Sequence, residues 1–178
     1  MDGYLTDYRI DKNFPAALRI GYGVTSCRSN DYNCIAWAAG ESDIHWWPTG
    51  EPSRISGIYW PENVPQEHTL SAFIQAFATM GYCEWPEENG NLEDGYEKVV
   101  IYTKAGKPTH MARQLPNGRW TSKLGKDSKD IEHVTPEALA SSVDGETIYG
   151  DVTKYVRRIR EPSPDSPPCP LNLNAPCW

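Results

Sequence analysis

From residue 97 to residue 122 the chain offers one segment after another that can only be extended, and this run commits the fold to an antiparallel sheet. Glu97-Lys98-Val99-Val100-Ile101-Tyr102-Thr103 is β-branched and apolar, the composition of a central strand. Ala105-Gly106-Lys107-Pro108 turns the chain, and Thr109–Leu115 and Arg119–Ser122 form the arms of a hairpin around Pro116-Asn117-Gly118. That tripeptide suits a three-residue loop: a type I turn with Pro first, then Gly in the left-handed conformation as a bulge. Leu115 then opposes Arg119, Ala112 faces Ser122 and His110 faces Leu124. Because side chains alternate, His110, Ala112, Trp120 and Ser122 share one face. A two-residue Asn-Gly loop would slip the register by one and bring Thr121 and Lys123 to the His110 face instead. The three-residue loop is the favoured register.

Ahead of the strands lie two helical signals. In Ser29-Asn30-Asp31-Tyr32-Asn33-Cys34-Ile35-Ala36-Trp37-Ala38-Ala39-Gly40, three N-cap residue types (Asn30, Asp31, Asn33) precede a small apolar run that Gly40 stops. His68–Met80 is amphipathic, with Leu70, Phe73, Ile74, Phe77 and Ala78 at helical spacing, Thr69 as N-cap and Gly81 as terminator. Phe14–Leu18 reads as a short helix, Pro136–Ser142 as one or two helical turns, and Val152–Ile159 as a last strand. The order predicts an α+β fold with helices packed on one side of a small antiparallel sheet. Residues 1–160 form one domain in this reading. Residues 161–178, with six prolines, form a flexible tail.

Charge and cysteine usage narrow the partners. The net charge is −7 over 178 residues, with no long basic run. That excludes non-specific nucleic-acid and anionic-membrane binding, which depend on Lys and Arg neutralising phosphates. No segment approaches the roughly 20 apolar residues of a membrane span, and no secretory signal opens the chain. A cytoplasmic product is the expectation; an exported effector would require a delivery machine and an immunity partner. Five cysteines, with no CxxC pair, argue against a disulfide scaffold and against zinc. Cys169 and Cys177 could pair only in an oxidising compartment. His45, Cys27 and Cys83 match no common metal spacing, and no cofactor is expected.

What chemistry remains centres on Cys34 and His110. A thiol in the first helical turn meets orphan N–H groups that stabilise negative charge, so its pKa is expected to fall. The structural alternative is an inert core residue beneath Trp37. A cysteine hydrolase also needs an imidazole and a group to orient it. His45 and His68 sit in a loop and at a helix start, and His133 follows Asp130-Ile131-Glu132 in a polar stretch. His110 instead opens a strand, where the sheet holds it rigidly. The proline-punctuated loop carrying Trp46, Trp47 and Trp60 is long and aromatic, and is expected to wall a cleft.

A cysteine on an early helix, a histidine at the start of a later strand and a polar residue twelve positions on resemble the papain-like cysteine hydrolase superfamily. The likeness is strongest to its compact bacterial branch of cell-wall endopeptidases and amidases. Asp31–Ala38, Pro108–Gln114 and Gly118–Gly125 also resemble stretches of a bacterial family of similar length. The resemblance implies a papain-like fold with N-terminal helices, the nucleophile helix first. It implies Cys34 as nucleophile, His110 as general base and acid, and Ser122 as the orienting group. Asn33 or Asn30 would join the Cys34 N–H in holding the oxyanion, and Trp46, Trp47 and Trp60 would bind substrate. The superfamily usually has His, Asn, Asp or Gln where Ser122 stands, so Asp130 from another loop is the alternative orienter. The reaction implied is cleavage of a peptide, isopeptide or peptidoglycan-peptide amide bond in a peptide or protein substrate. Acyl transfer by the same pair, or a non-catalytic peptide-binding module with an aromatic groove, are the alternatives.

Overall fold

The computed structural model describes residues 5–49, 57–125, 128–140, 142–143 and 145–160. The elements run α1 (Tyr8–Asn13), α2 (Pro15–Ile20), β1 (Tyr22–Val24), α3 (Cys34–Ala39), β2 (His45–Trp46), β3 (Ile58–Tyr59) and α4 (Leu70–Ala78). There follow β4 (Tyr96–Lys104), β5 (Lys107–Gln114), β6 (Trp120–Lys123), β7 (Asp130–His133), a 3₁₀ turn (Pro136–Leu139), β8 (Ser142–Val143), β9 (Glu146–Thr147) and β10 (Asp151–Ile159). Six strands form one fully antiparallel sheet in the order β1-β7-β6-β5-β4-β10. The fold is thus α+β, as the sequence predicts. No helix among the described residues is long and apolar enough to cross a membrane. The proline-rich stretch 161–178, with Cys169 and Cys177, lies outside the described residues.

Two expectations about the helices need correction. The Cys34 helix is the third rather than the first, and the helices lie on both faces of the sheet. One face carries Val99, Ile101 and Met111 against Ile35, Ala36 and Ala38 of α3 and Phe73 and Phe77 of α4. The other carries Val100, Tyr102, Ala112, Trp120 and Ile131 against Ile10, Phe14, Ala17, Leu139 and Tyr149. The cause is legible in β4, whose apolar residues run continuously instead of alternating, so both faces must be covered. Phe73 and Phe77 alone account for roughly 2–3 kcal/mol of burial each.

Local signals set the boundaries. Thr69 caps α4 by accepting from the Ala72 N–H, and Asn33 caps α3. The β5–β6 turn takes the three-residue form: the Leu115 N–H donates to the Arg119 carbonyl, and Gly118 has φ 83°. At the start of β10, a Cβ on Gly150 would lie 1.9 Å from the Thr103 carbonyl oxygen, so only glycine lets β10 settle against β4. Where those strands meet at their other end, buried Glu97 accepts from Tyr82 Oη at 2.6 Å and from Arg158 at 3.0 Å, with Arg160 at 3.3 Å and Arg113 at 3.7 Å. The four partners compensate a carboxylate taken out of water.

Candidate functional site

Helix α3 is set by its first turn. Asn33 Oδ1 accepts from the N–H groups of Ala36 and Trp46, and Nδ2 donates to the Trp46 carbonyl at 2.7 Å. This amide is therefore a clamp between α3 and β2, which is where the proposed oxyanion donor is engaged. The preceding loop is pinned from below by Lys123, which is buried, donates to the Ser29 carbonyl at 2.6 Å and to that of Ser128, and sits 5.0 Å over the Tyr32 ring. Tyr32 in turn donates to Asp130 Oδ2 at 2.6 Å and stacks on Trp37. Asp130 is thus committed to the Cys34 layer and does not orient His110, which corrects the alternative drawn from the resemblance.

Helix α3 docks where two strands part. Cα pairing between β5 and β6 covers Arg113 with Thr121 and Gln114 with Trp120, and goes no further toward the start of β5. Trp37 Nε1 donates to Thr121 Oγ1 at 2.9 Å, fixing the helix over this gap. Cys34 is half-buried, and the backbone N–H groups of Met111, Cys34 and Ile35 are directed at its sulfur. These donors and the Lys123 charge favour a thiolate, but burial outweighs them and pushes the thiol up to about 11. The expected drop below the free value is reversed, because a six-residue helix offers less than desolvation takes away.

His110 lies on the opposite face of β5 and is fully buried. Its Nε2 is 3.1 Å from Ser122 Oγ, as the three-residue register requires, and that hydroxyl is 2.9 Å from Nε2 of His133. His133 Nδ1 is 2.8 Å from the Thr135 carbonyl. The Tyr149 ring lies flat on the imidazole, with centroids 4.0 Å apart and planes 12° apart, and Phe14 stacks on Tyr149. The Thr109 hydroxyl holds the Tyr149 carbonyl in place. Burial pulls His110 well below its ordinary value, with His133 adding to the shift, and brings His133 down to about 4. Both rings are neutral at pH 7.

The remaining nitrogen, His110 Nδ1, is buried and has no hydrogen-bond partner among the described residues. Cys34 Sγ meets β5 at the Met111 N–H, one residue along, without a hydrogen bond to that nitrogen. A neutral thiol thus stands beside the strand that holds an unpartnered imidazole nitrogen.

The tryptophans divide. Trp47 and Trp60, with Tyr59 and Pro61, line a groove of about 660 Å³. Trp46 turns into the core against Phe77 and reaches instead the edge of a second hollow with Ile44 and Met80. Trp47 packs on His68, whose Nε2 bonds the Pro108 carbonyl two residues before His110. His45 Nε2 is tied to the Asn30 carbonyl. Sequence reasoning missed His133 and Tyr149. Alternation within Asp130-Ile131-Glu132-His133 is the signal that could have revealed β7 and turned His133 inward with Ile131. Nothing local marks Tyr149. Among the described residues no group of three or more His, Cys, Asp or Glu is placed to hold a metal ion.

Residues 23–157 match the family described as Domain of unknown function (DUF7689). No curated protein and no solved structure matches the chain.

Proposed function

We propose that this chain, which belongs to the DUF7689 family, is a cysteine hydrolase of papain-like type acting on an amide bond. The observation that carries the reading is the buried, unpartnered His110 Nδ1 on the strand whose next N–H is directed at Cys34 Sγ. The thiol is not a resting thiolate. As its sulfur bonds to the substrate carbonyl carbon, its proton passes to His110 Nδ1. The imidazolium then gives that proton to the departing amine as the C–N bond breaks, leaving a thioester on Cys34. Water attacks the thioester with His110 again as base, and a second amine in place of water makes the same sequence an acyl transfer. The Cys34 backbone N–H is a donor for the oxyanion, and Asn33 Nδ2, which gives one of its two hydrogens to the Trp46 carbonyl, has a second to offer. The groove of Trp47, Tyr59 and Trp60 suits an extended peptide and is linked through His68 to the start of β5.

The test is alkylation of the three described cysteines by iodoacetamide at neutral pH, read site by site by mass spectrometry. Exposed Cys27 and half-buried Cys83 serve as internal references. In His110→Ala, Cys34 modification is expected to slow by about 100-fold, the usual worth of a positioned base, while Cys27 is unchanged. A Cys34 rate indifferent to His110, or modification only on unfolding, refutes the proposal.

A further inference from the structure

The hydrogen-bond chain behind His110 has a direction, and that direction is set at its far end. A carbonyl oxygen only accepts, so His133 Nδ1, 2.8 Å from the Thr135 carbonyl, carries its ring's proton. With the ring neutral, His133 Nε2 is a bare acceptor. Ser122 has one hydrogen to give and stands 2.9 Å from that acceptor, so the hydrogen goes there. The Ser122 oxygen can then only accept along the 3.1 Å contact to His110, whose Nε2 must hold the proton. Nδ1 of His110 is left with a free lone pair, and it is this atom that is buried without a partner. All three side chains are fully buried, so water does not compete for any of these bonds.

We propose that His133 is a positioning residue of the Cys34–His110 site: acting through Ser122, it dictates which nitrogen of His110 is protonated and so keeps Nδ1 basic. The inference rests on the hydrolase reading for its purpose and on the three contacts for its geometry. Ser122 alone cannot do this, since a hydroxyl can donate or accept and has no preference of its own. The usual orienting carboxylate or amide is replaced by a hydroxyl whose sense is fixed by a second imidazole. Because the chain ends on a backbone carbonyl, it orients without carrying a proton away.

The experiment is a long-range proton–nitrogen correlation spectrum of the ¹⁵N-labelled full chain, which distinguishes bare from protonated ring nitrogens, run beside the Cys34 alkylation assay. The wild type is expected to show His110 protonated at Nε2 and bare at Nδ1. His133→Leu frees the Ser122 hydrogen to turn toward His110 Nε2. The His110 proton should then move to Nδ1, and Cys34 alkylation should slow by about 100-fold. His133→Gln, whose Oε1 offers an acceptor where Nε2 stood, should recover most of that loss. Should His133→Leu fail to fold, Ser122→Ala gives the second reading, with the single-tautomer pattern of His110 replaced by a mixture. A wild-type His110 protonated at Nδ1, or a tautomer unmoved in His133→Leu or Ser122→Ala, overturns the inference. A tautomer that moves as expected while wild-type Cys34 stays inert upholds the role of His133 and removes the hydrolase reading instead.

Discussion

Acid should unfold this protein earlier than its carboxylates alone would. The perturbation is a fall in pH from 8 to 4, and the responding groups are the two buried imidazoles. His133 titrates near 4 in the fold against an ordinary 6.5, because burial disfavours its charged form. Between those values the unfolded chain binds a proton that the native ring refuses, so stability present above about pH 6.5 is lost as pH falls toward 4. At about 1.4 kcal/mol per unit, His133 contributes a loss of roughly 3 kcal/mol across the window. His110, held well below its ordinary value by burial and by its neighbour, acts in the same direction. Against a total stability of about 5–15 kcal/mol this is a large fraction. The paired Asp7 carboxylate, lowered chiefly by its hydrogen bond from Lys129, titrates below the window and does not imitate the effect. Urea unfolding at half-unit pH steps reads it as a falling midpoint at constant slope. In His133→Gln the share belonging to that ring should vanish, and the curve between pH 6.5 and 4.5 should flatten in proportion. Stability that is level over this interval in the wild type, or a variant with an unaltered slope, would falsify the account of two neutral buried rings.

Three further perturbations probe the scaffold. Tyr149→Ala removes the ring stacked at 4.0 Å on His110; it should cost about 3–5 kcal/mol and let His110 titrate nearer its ordinary value by NMR, and an unmoved titration would show that Tyr149 is not the seal. Gly150→Ala places a methyl against the Thr103 carbonyl at a residue with φ 80°; a loss of about 2–5 kcal/mol in thermal or urea unfolding is expected, whereas Gly95→Ala, which meets open space, should cost clearly less. Glu97→Gln leaves Arg113, Arg158 and Arg160 around a neutral amide; destabilisation of about 3–5 kcal/mol is expected, and a change under 1 kcal/mol would mean that the cluster is solvated rather than buried.

The parts of the fold that could be read in advance are those fixed by residues near in sequence. Thr69, Asn33, Gly40 and Gly81 mark helix ends because capping is a contact across three or four positions. The Pro116-Asn117-Gly118 loop fixed the register that brings Ser122 to His110, because a tight turn leaves its arms few ways to pair. What escaped was decided at long range. The pKa of Cys34 follows from what covers the sulfur, and burial there defeats the helix terminus that the local sequence advertises. Strand β7 is four residues with two acidic side chains, so its composition suggests a surface loop; pairing with β6 and β1 draws it inside and carries His133 with it. Trp46 and Trp47 are adjacent, yet Trp46, the last residue of β2, fills the core and Trp47, just beyond the strand, lines a groove. Of the second helical layer, α2 answers to the short helix read at Phe14–Leu18, whereas α1, only six residues long, carried no signal of its own.

The parting of β5 from β6 joins the two sides of the sheet at one place. The sulfur is supplied by the α3–α4 side of the sheet and the imidazole by the α1–α2 side. On the proposed hydrolase reading, a nascent or partly opened molecule with one side assembled would hold only one of the two groups and would be silent. Reactivity at Cys34 that depends on His110, if the proposed reading holds, would therefore report completion of the whole architecture.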